Sequence, residues 1–360
     1  MKELERSVIS IKYPVRSLLW SGDTLVDLVG GIRVFNFKGE VGHASISWAY
    51  KFDSAIFSND GNYAAVYELL GTKCILLKGR QILREINRSF YHAHDYEYPI
   101  AFIALKDGTQ ALAHCPEYFN KIEIEEVESG RRLTGRDTPP ANSMFHSRLA
   151  ASEDGKYLIS AGWVWHPMSQ LWIYDLEEVM RDPRVLDSAP RDLYDKWNLP
   201  GYEVDSAAFS SNERLLFTTF DDWEDEDDAD DLDDLGLSDS GIAEVAEQAA
   251  VAMSLSPRIR CGRKEIVEFE LDSRTVLSSV PLDQPTGTLM PSGDYVVAFD
   301  KHPRLLNMRD GVCVEQWPNL ATGNRAFSIR RTVPPCIALD PKNHRFAVAS
   351  NDAITVIQLG

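Results

Sequence analysis

Cysteine is scarce in this chain, and what there is does not pair up. Five occur in 360 residues, at Cys74, Cys115, Cys261, Cys313 and Cys336, with no Cys-x-x-Cys spacing. An odd, scattered set excludes a disulfide framework and a zinc cluster of the usual kind. It reads as reduced, mostly buried thiols of a cytoplasmic protein. Long apolar runs are missing too: none approaches the ~18 residues of a membrane-spanning helix, so no membrane contact is expected. The opening Met1-Lys2-Glu3-Leu4-Glu5-Arg6 is charged and lacks the apolar stretch of a secretory leader. There is no Gly-rich phosphate loop, no G-x-S-x-G and no H-E-x-x-H, so no catalytic motif and no cofactor is indicated. Basic residues are outnumbered, with 37 Lys and Arg against 55 Asp and Glu and a net charge of −18. That balance repels phosphate backbones and argues against a nucleic-acid partner.

What the chain does have is a recurring phrase. An apolar run, often ending in Ser, meets Asp or Asn beside Gly, then an aromatic or Leu, then more apolar residues. It reads Phe57-Ser58-Asn59-Asp60-Gly61-Asn62-Tyr63 and returns as Ala151-Ser152-Glu153-Asp154-Gly155-Lys156-Tyr157. Looser copies stand at Gly22-Asp23, Asp107-Gly108, Asn212-Glu213, Gly293-Asp294 and Asn343-His344, seven in all. Asp-Gly and Asn-Gly reach the positive φ angles that a tight hairpin needs. The flanks are rich in β-branched, aromatic and small residues, which suit buried strands. Gly61, Gly108 and Gly155 are 47 residues apart, and a unit of about 40–50 residues with short strands matches one blade of a propeller. The expected fold is all-β, a seven-bladed β-propeller spanning 1–360 as a single domain. The last unit runs out of chain at its third strand, so the N-terminal Val8-Ile9-Ser10-Ile11 is expected to supply its outer strand and close the ring.

Trp172-Ile173-Tyr174-Asp175 ends a candidate third strand on an aromatic and Asp, and in this ending the chain resembles the WD40-type β-propellers. Phe57-Ser58-Asn59-Asp60-Gly61 and Phe209-Ser210-Ser211-Asn212-Glu213 resemble that family's turn between inner strands. The resemblance implies architecture and leaves the functional residues open.

The longest gap between phrases falls in the fifth unit and holds an insertion, 221–262. Residues 221–256 carry 14 Asp and Glu and no Lys or Arg, so 14 of the 18 net negative charges sit in one segment. Behind the acidic run, Ile242, Val245, Ala246, Ala249 and Met253 share one helical face, and Pro257 stops the helix. Three readings apply: a solvated loop, an anionic arm for a basic protein partner, or a divalent-metal loop. The docking reading rests on Trp223, an apolar anchor among Asp222, Glu224, Asp225 and Asp227.

Two further clusters stand out. His92-Ala93-His94-Asp95 has metal-like residues, with two imidazoles two positions apart on one strand face. The alternative is a loop with His and Tyr hydrogen-bonded at the channel mouth. Trp163 and Trp165 are either exposed binding anchors or packing between blades. The function these features indicate is non-catalytic recognition of another protein, as an adaptor, scaffold or immunity-type binder. The alternative is a metal-dependent enzyme at the channel mouth, with His92, His94 and Asp95 as ligands.

Overall fold

A computed structural model describes residues 1–137, 140–164, 168–187, 203–220 and 264–360. The acidic run and the helix expected behind it lie outside these residues, as do Trp165 and the segment around Tyr194 and Trp197. Seven small antiparallel sheets form a ring, a seven-bladed β-propeller. Blades one to seven occupy residues 19–42, 54–87, 100–126, 144–175, 203–281, 289–316 and 337–359. Among the described residues no helix is long and apolar enough to cross a membrane.

The recurring phrase is a hydrogen-bond set. In blade two the Ser58 hydroxyl donates to Asp60 Oδ1 at 2.6 Å and accepts from Tyr63 N at 3.0 Å, while Gly61 N donates to the Ser58 carbonyl at 2.9 Å. Blade four repeats it through Ser152, Asp154, Tyr157 and Gly155 at 2.6, 2.9 and 3.0 Å. Gly61 and Gly155 take positive φ, as the turn requires. The aromatic that ends the phrase joins neighbouring blades. The Tyr63 hydroxyl donates to Glu128 of blade three and the Tyr157 hydroxyl to Asp272 of blade five, each at 2.5 Å. Each sheet packs on both sides against other blades, so strands such as Tyr63–Tyr67 are buried along their whole length.

The expected closure is present. Glu3–Ser10 pairs antiparallel with Ala353–Leu359, with Ile9 opposite Ile354. Lys2 and Gly360 exchange backbone hydrogen bonds at 3.0 Å in both directions. Ile9 is buried against a core that includes Leu18, Leu25, Phe35 and Ala347.

Two blades depart from the expected four-strand pattern. Blade three has three strands, Ile100–Ala104, Gln110–His114 and Glu123–Glu126; its fourth is reduced to a single bridge between Glu125 and Arg132. The Thr134 hydroxyl takes over there, accepting from Ile124 N at 2.8 Å and donating to buried Glu123 at 3.1 Å. In blade four the innermost strand is split into Met144–Phe145 and Leu149–Ala151, both paired with Tyr157–Val164. After its third strand, Met168–Asp175, the chain enters a short helix, Leu176–Arg181, in place of a directly following fourth strand. Asp175 caps that helix by accepting from the amides of Glu177 and Glu178, and the two glutamates suit its positive end.

His146 fills the break in the split strand. It is fully buried, 3.0 Å from the Ser160 hydroxyl, and burial drives its pKa down to about 3. The folded state therefore holds a neutral imidazole that the unfolded chain protonates near 6.5. This group's stabilising contribution is complete above that pH and declines as the pH falls toward 3, by about 1.4 kcal/mol per unit mid-window. Replacing His146 by Gln is expected to flatten the Tm profile between about pH 6 and pH 4; an unchanged acid limb would mean that the imidazole protonates inside the fold. Ile9→Ala is expected to cost about 2–5 kcal/mol in denaturant unfolding, the range of a buried core truncation. A loss under about 0.5 kcal/mol would show that the ring holds without its closing strand.

Candidate protein-interaction face

Strand direction sorts the loops onto two ends of the ring. The phrase turns lie at the lower end. The second-to-third strand connections and the links between blades lie at the upper end. Lys73, which follows one such connection, pairs with Asn87, which opens the link to blade three. Residues 221–263 leave after Arg214–Phe220 and return before Glu265–Glu270, also at the upper end.

The link 88–99 is pinned from below by one arginine. Buried Arg88 donates to four carbonyls: Gly71 at 2.7 Å, Ala93 at 2.6 Å, Tyr96 at 2.9 Å and Glu97 at 3.1 Å. Its guanidinium lies over the rings of Tyr96 and Tyr98, 4.4 and 5.0 Å from their centroids. Burial lowers its pKa from the usual arginine range.

Held this way, the link presents aromatic rings outward. Phe145 stacks on Trp163 at 3.9 Å with the planes 2° apart. Phe119 stacks on Phe145 at 4.1 Å, and Tyr91 packs on Phe119 at 5.2 Å. The ladder runs from core to surface, from Trp163, 4% exposed, to Tyr91, 45% exposed; Phe90, next to Tyr91 in sequence, is 85% exposed and Tyr118, next to Phe119, is 45% exposed. Trp163 is thus packing, which corrects its expected role as an exposed anchor. It takes the bottom rung because its strand, Tyr157–Val164, lies inside the blade. Sequence reasoning missed Phe90, Tyr91 and Tyr118 as a surface. Tyr118 precedes Phe119, whose ring packs on Tyr91, and only the fold brings these two loops together.

His92, His94 and Asp95 do meet. Both imidazoles face one carboxylate oxygen, with His92 Nδ1 at 2.9 Å and His94 Nε2 at 3.4 Å from Asp95 Oδ2. Among the described residues, no group of three or more His, Cys, Asp or Glu is placed to hold a metal ion. His114 faces Glu125 of its own blade, at 3.2 Å.

A second unforeseen element crosses the upper mouth of the channel. The segment 317–336, between blades six and seven, meets one blade after another. Arg325 N and Ala326 N donate to Asp300 of blade six at 2.7 and 3.0 Å. Phe327 N donates to Asp205 of blade five, and the hydroxyls of Ser328 and Ser169 of blade four are 2.7 Å apart. Ile329 bridges Tyr96, Arg330 N donates to the Asp95 carbonyl at 2.7 Å, and the Arg330 guanidinium meets Glu97 at 3.0 Å. Asp205 is buried, and burial raises its pKa from the ordinary aspartate value. At the lower end lies a cavity of about 920 Å³ lined by turns of blades two, four, five, six and seven. Lys342 of blade seven pairs with Glu153 of blade four beside it.

Asp222, Trp223, Glu224, Asp225, Asp227 and Trp165 lie outside the described residues. No protein-family model matches the chain, and no curated protein matches it. Among solved structures it is similar in fold to the computationally designed Ika8 protein, at 11% identity, 99% coverage of this chain, 100% of that chain and a TM-score of 0.48.

If Arg88 shapes this face, Arg88→Met is expected to lower stability by about 3 kcal/mol, since several carbonyls lose a charged donor. It should also weaken hydrogen-exchange protection across 88–99. A variant with parental Tm and protection would remove Arg88 from that role.

Proposed function

We propose that this chain is a non-catalytic protein-interaction module of the WD40 type, an adaptor or immunity-type binder working in the cytoplasm. Its partner is a protein with a basic surface. The upper end of the ring is the docking face, with Phe90, Tyr91 and Tyr118 as apolar anchors. The acidic tract, with Asp222, Trp223, Glu224, Asp225 and Asp227, is the anionic arm that steers the partner in. The observation that carries this reading is the aromatic patch, exposed at the end of the ring from which the insertion departs. Phe90 is the most exposed large apolar side chain among the described residues, and nothing in the folding of the ring requires it to face water. Clustered aromatics with one face wet are the commonest interface anchors.

The test compares three chains in affinity purification from native cells: the parent, one lacking residues 221–256, and Phe90→Ser with Tyr91→Ser. A partner held by the parent should be recovered at least about tenfold less with either variant. Its binding to the parent should weaken as salt rises. Equal recovery by all three chains would reject the upper face as the docking surface.

A further inference from the structure

Away from the aromatic patch, where blades seven, one and two meet the crossing segment, lie two adjoining cavities of about 840 and 200 Å³. They share the wall Val333-Pro334-Pro335-Cys336, and they share Asp53. The larger is a cleft walled by apolar groups, among them Pro14, Val15, Phe52, Leu320 and Val348. Its volume falls in the range of small-ligand sites.

Asp53 is the unusual group. It is half-buried between the two cavities and accepts from Leu69 N at 2.8 Å and the Ser54 hydroxyl at 3.1 Å, both through Oδ1. Among the described residues Oδ2 accepts no hydrogen bond and Asp53 enters no ion pair. Burial raises its pKa from the ordinary aspartate value. Two other charges line the smaller cavity and are already directed elsewhere. Glu97 pairs with Arg330 at 3.0 Å, and Arg325 donates through Nε to the Thr322 carbonyl at 3.0 Å and through Nη2 to that of Pro335. Tyr67, 7% exposed, lines this cavity, and its hydroxyl makes no hydrogen bond among the described residues. Burial keeps that hydroxyl protonated, and so a donor.

The charges that line the two cavities differ in exposure. Asp53, common to both, is half-buried. Arg16 and Lys51 line the larger cavity, are exposed, and enter no ion pair among the described residues. An apolar cleft lined by a half-buried carboxylate and two exposed cations, none of them in an ion pair among the described residues, is complementary to one class of molecule. We propose that this cleft binds a small unbranched zwitterion of the ω-amino acid class, its ammonium on Asp53 and its carboxylate toward Arg16 and Lys51. The methylene chain lies along Phe52, Leu320 and the two prolines. Buried charge-assisted hydrogen bonds to Asp53 Oδ2 supply specificity for the amine, and burial of the chain supplies affinity. The site is separate from the upper aromatic patch, so it stands or falls independently of the protein-docking role.

Calorimetric titration of the full chain with 6-aminohexanoate, hexylamine and hexanoate tests the assignment. The expected order of affinity is 6-aminohexanoate, then hexylamine, then hexanoate, with at least about tenfold between first and last. Asp53→Asn should weaken 6-aminohexanoate at least about tenfold. Lys51→Ala should bring it toward hexylamine. Hexanoate binding as tightly as the other two, or parental affinity in Asp53→Asn, would overturn the proposal. So would no binding of any of the three at about 10 mM, well above the dissociation constant that a favourable ligand of this size reaches. Because Asp53 also holds the Leu69 amide, the three-compound series on the parent chain decides the question even if the Asn variant folds poorly.

Discussion

Everything at the two ends of this ring depends on the pairing of Glu3–Ser10 with Ala353–Leu359. A blade buries its faces only against its neighbours, so an open ring would leave a blade side and a strand edge in water. Closing the ring with the two chain ends makes the first and last blades as well covered as the middle ones. It also sets the positions of the loops. The crossing segment 317–336 reaches from blade six to the link before blade three only because the ring holds them at opposite sides of one channel.

The two ends of the ring are built differently. At the lower end, a short side-chain and backbone set recurs around Ser58 and Ser152, and the turns it makes are small and alike. At the upper end the connections are long and individual, and buried charges hold them. Arg88 gathers four carbonyls, Asp205 holds the amide of Phe327, and Asp300 holds those of Arg325 and Ala326. Buried ions that satisfy backbone groups can fix an irregular loop as firmly as a ladder fixes a strand, because leaving either partner unpaired in the interior is costly. This lets the link 88–99 carry exposed aromatics on a rigid base, the arrangement that a recognition surface needs.

Much of the architecture was legible. The phrase at Ser58 and Ser152 is a local code, since its donors and acceptors lie within five residues of one another; the turn therefore shows in the residue order. Strand closure was legible from a missing piece at one end and a spare strand at the other. The departures were less so. Thr134 replaces a strand in blade three through a hydroxyl that reaches ten residues back, and the pattern of apolar residues does not report such a bond. The helix Leu176–Arg181 did leave a mark, in Asp175 followed by Glu177 and Glu178. That mark is hidden because the same Asp175 ends a strand motif.

For the candidate surfaces the division is sharper. Residue order alone determines the repeat, the number of blades, the closing strand and the place of the acidic insertion, because each rests on local turn chemistry or on counting along the chain. Tertiary structure alone decides that Trp163 is the buried foot of a ladder while Phe90 is exposed. It alone packs Phe119 on Tyr91 and leaves Asp53, among the described residues, without a cation. Exposure and pairing are properties of what lies across a gap from a side chain, and in a closed ring the facing residue often comes from a different blade, far away in the sequence.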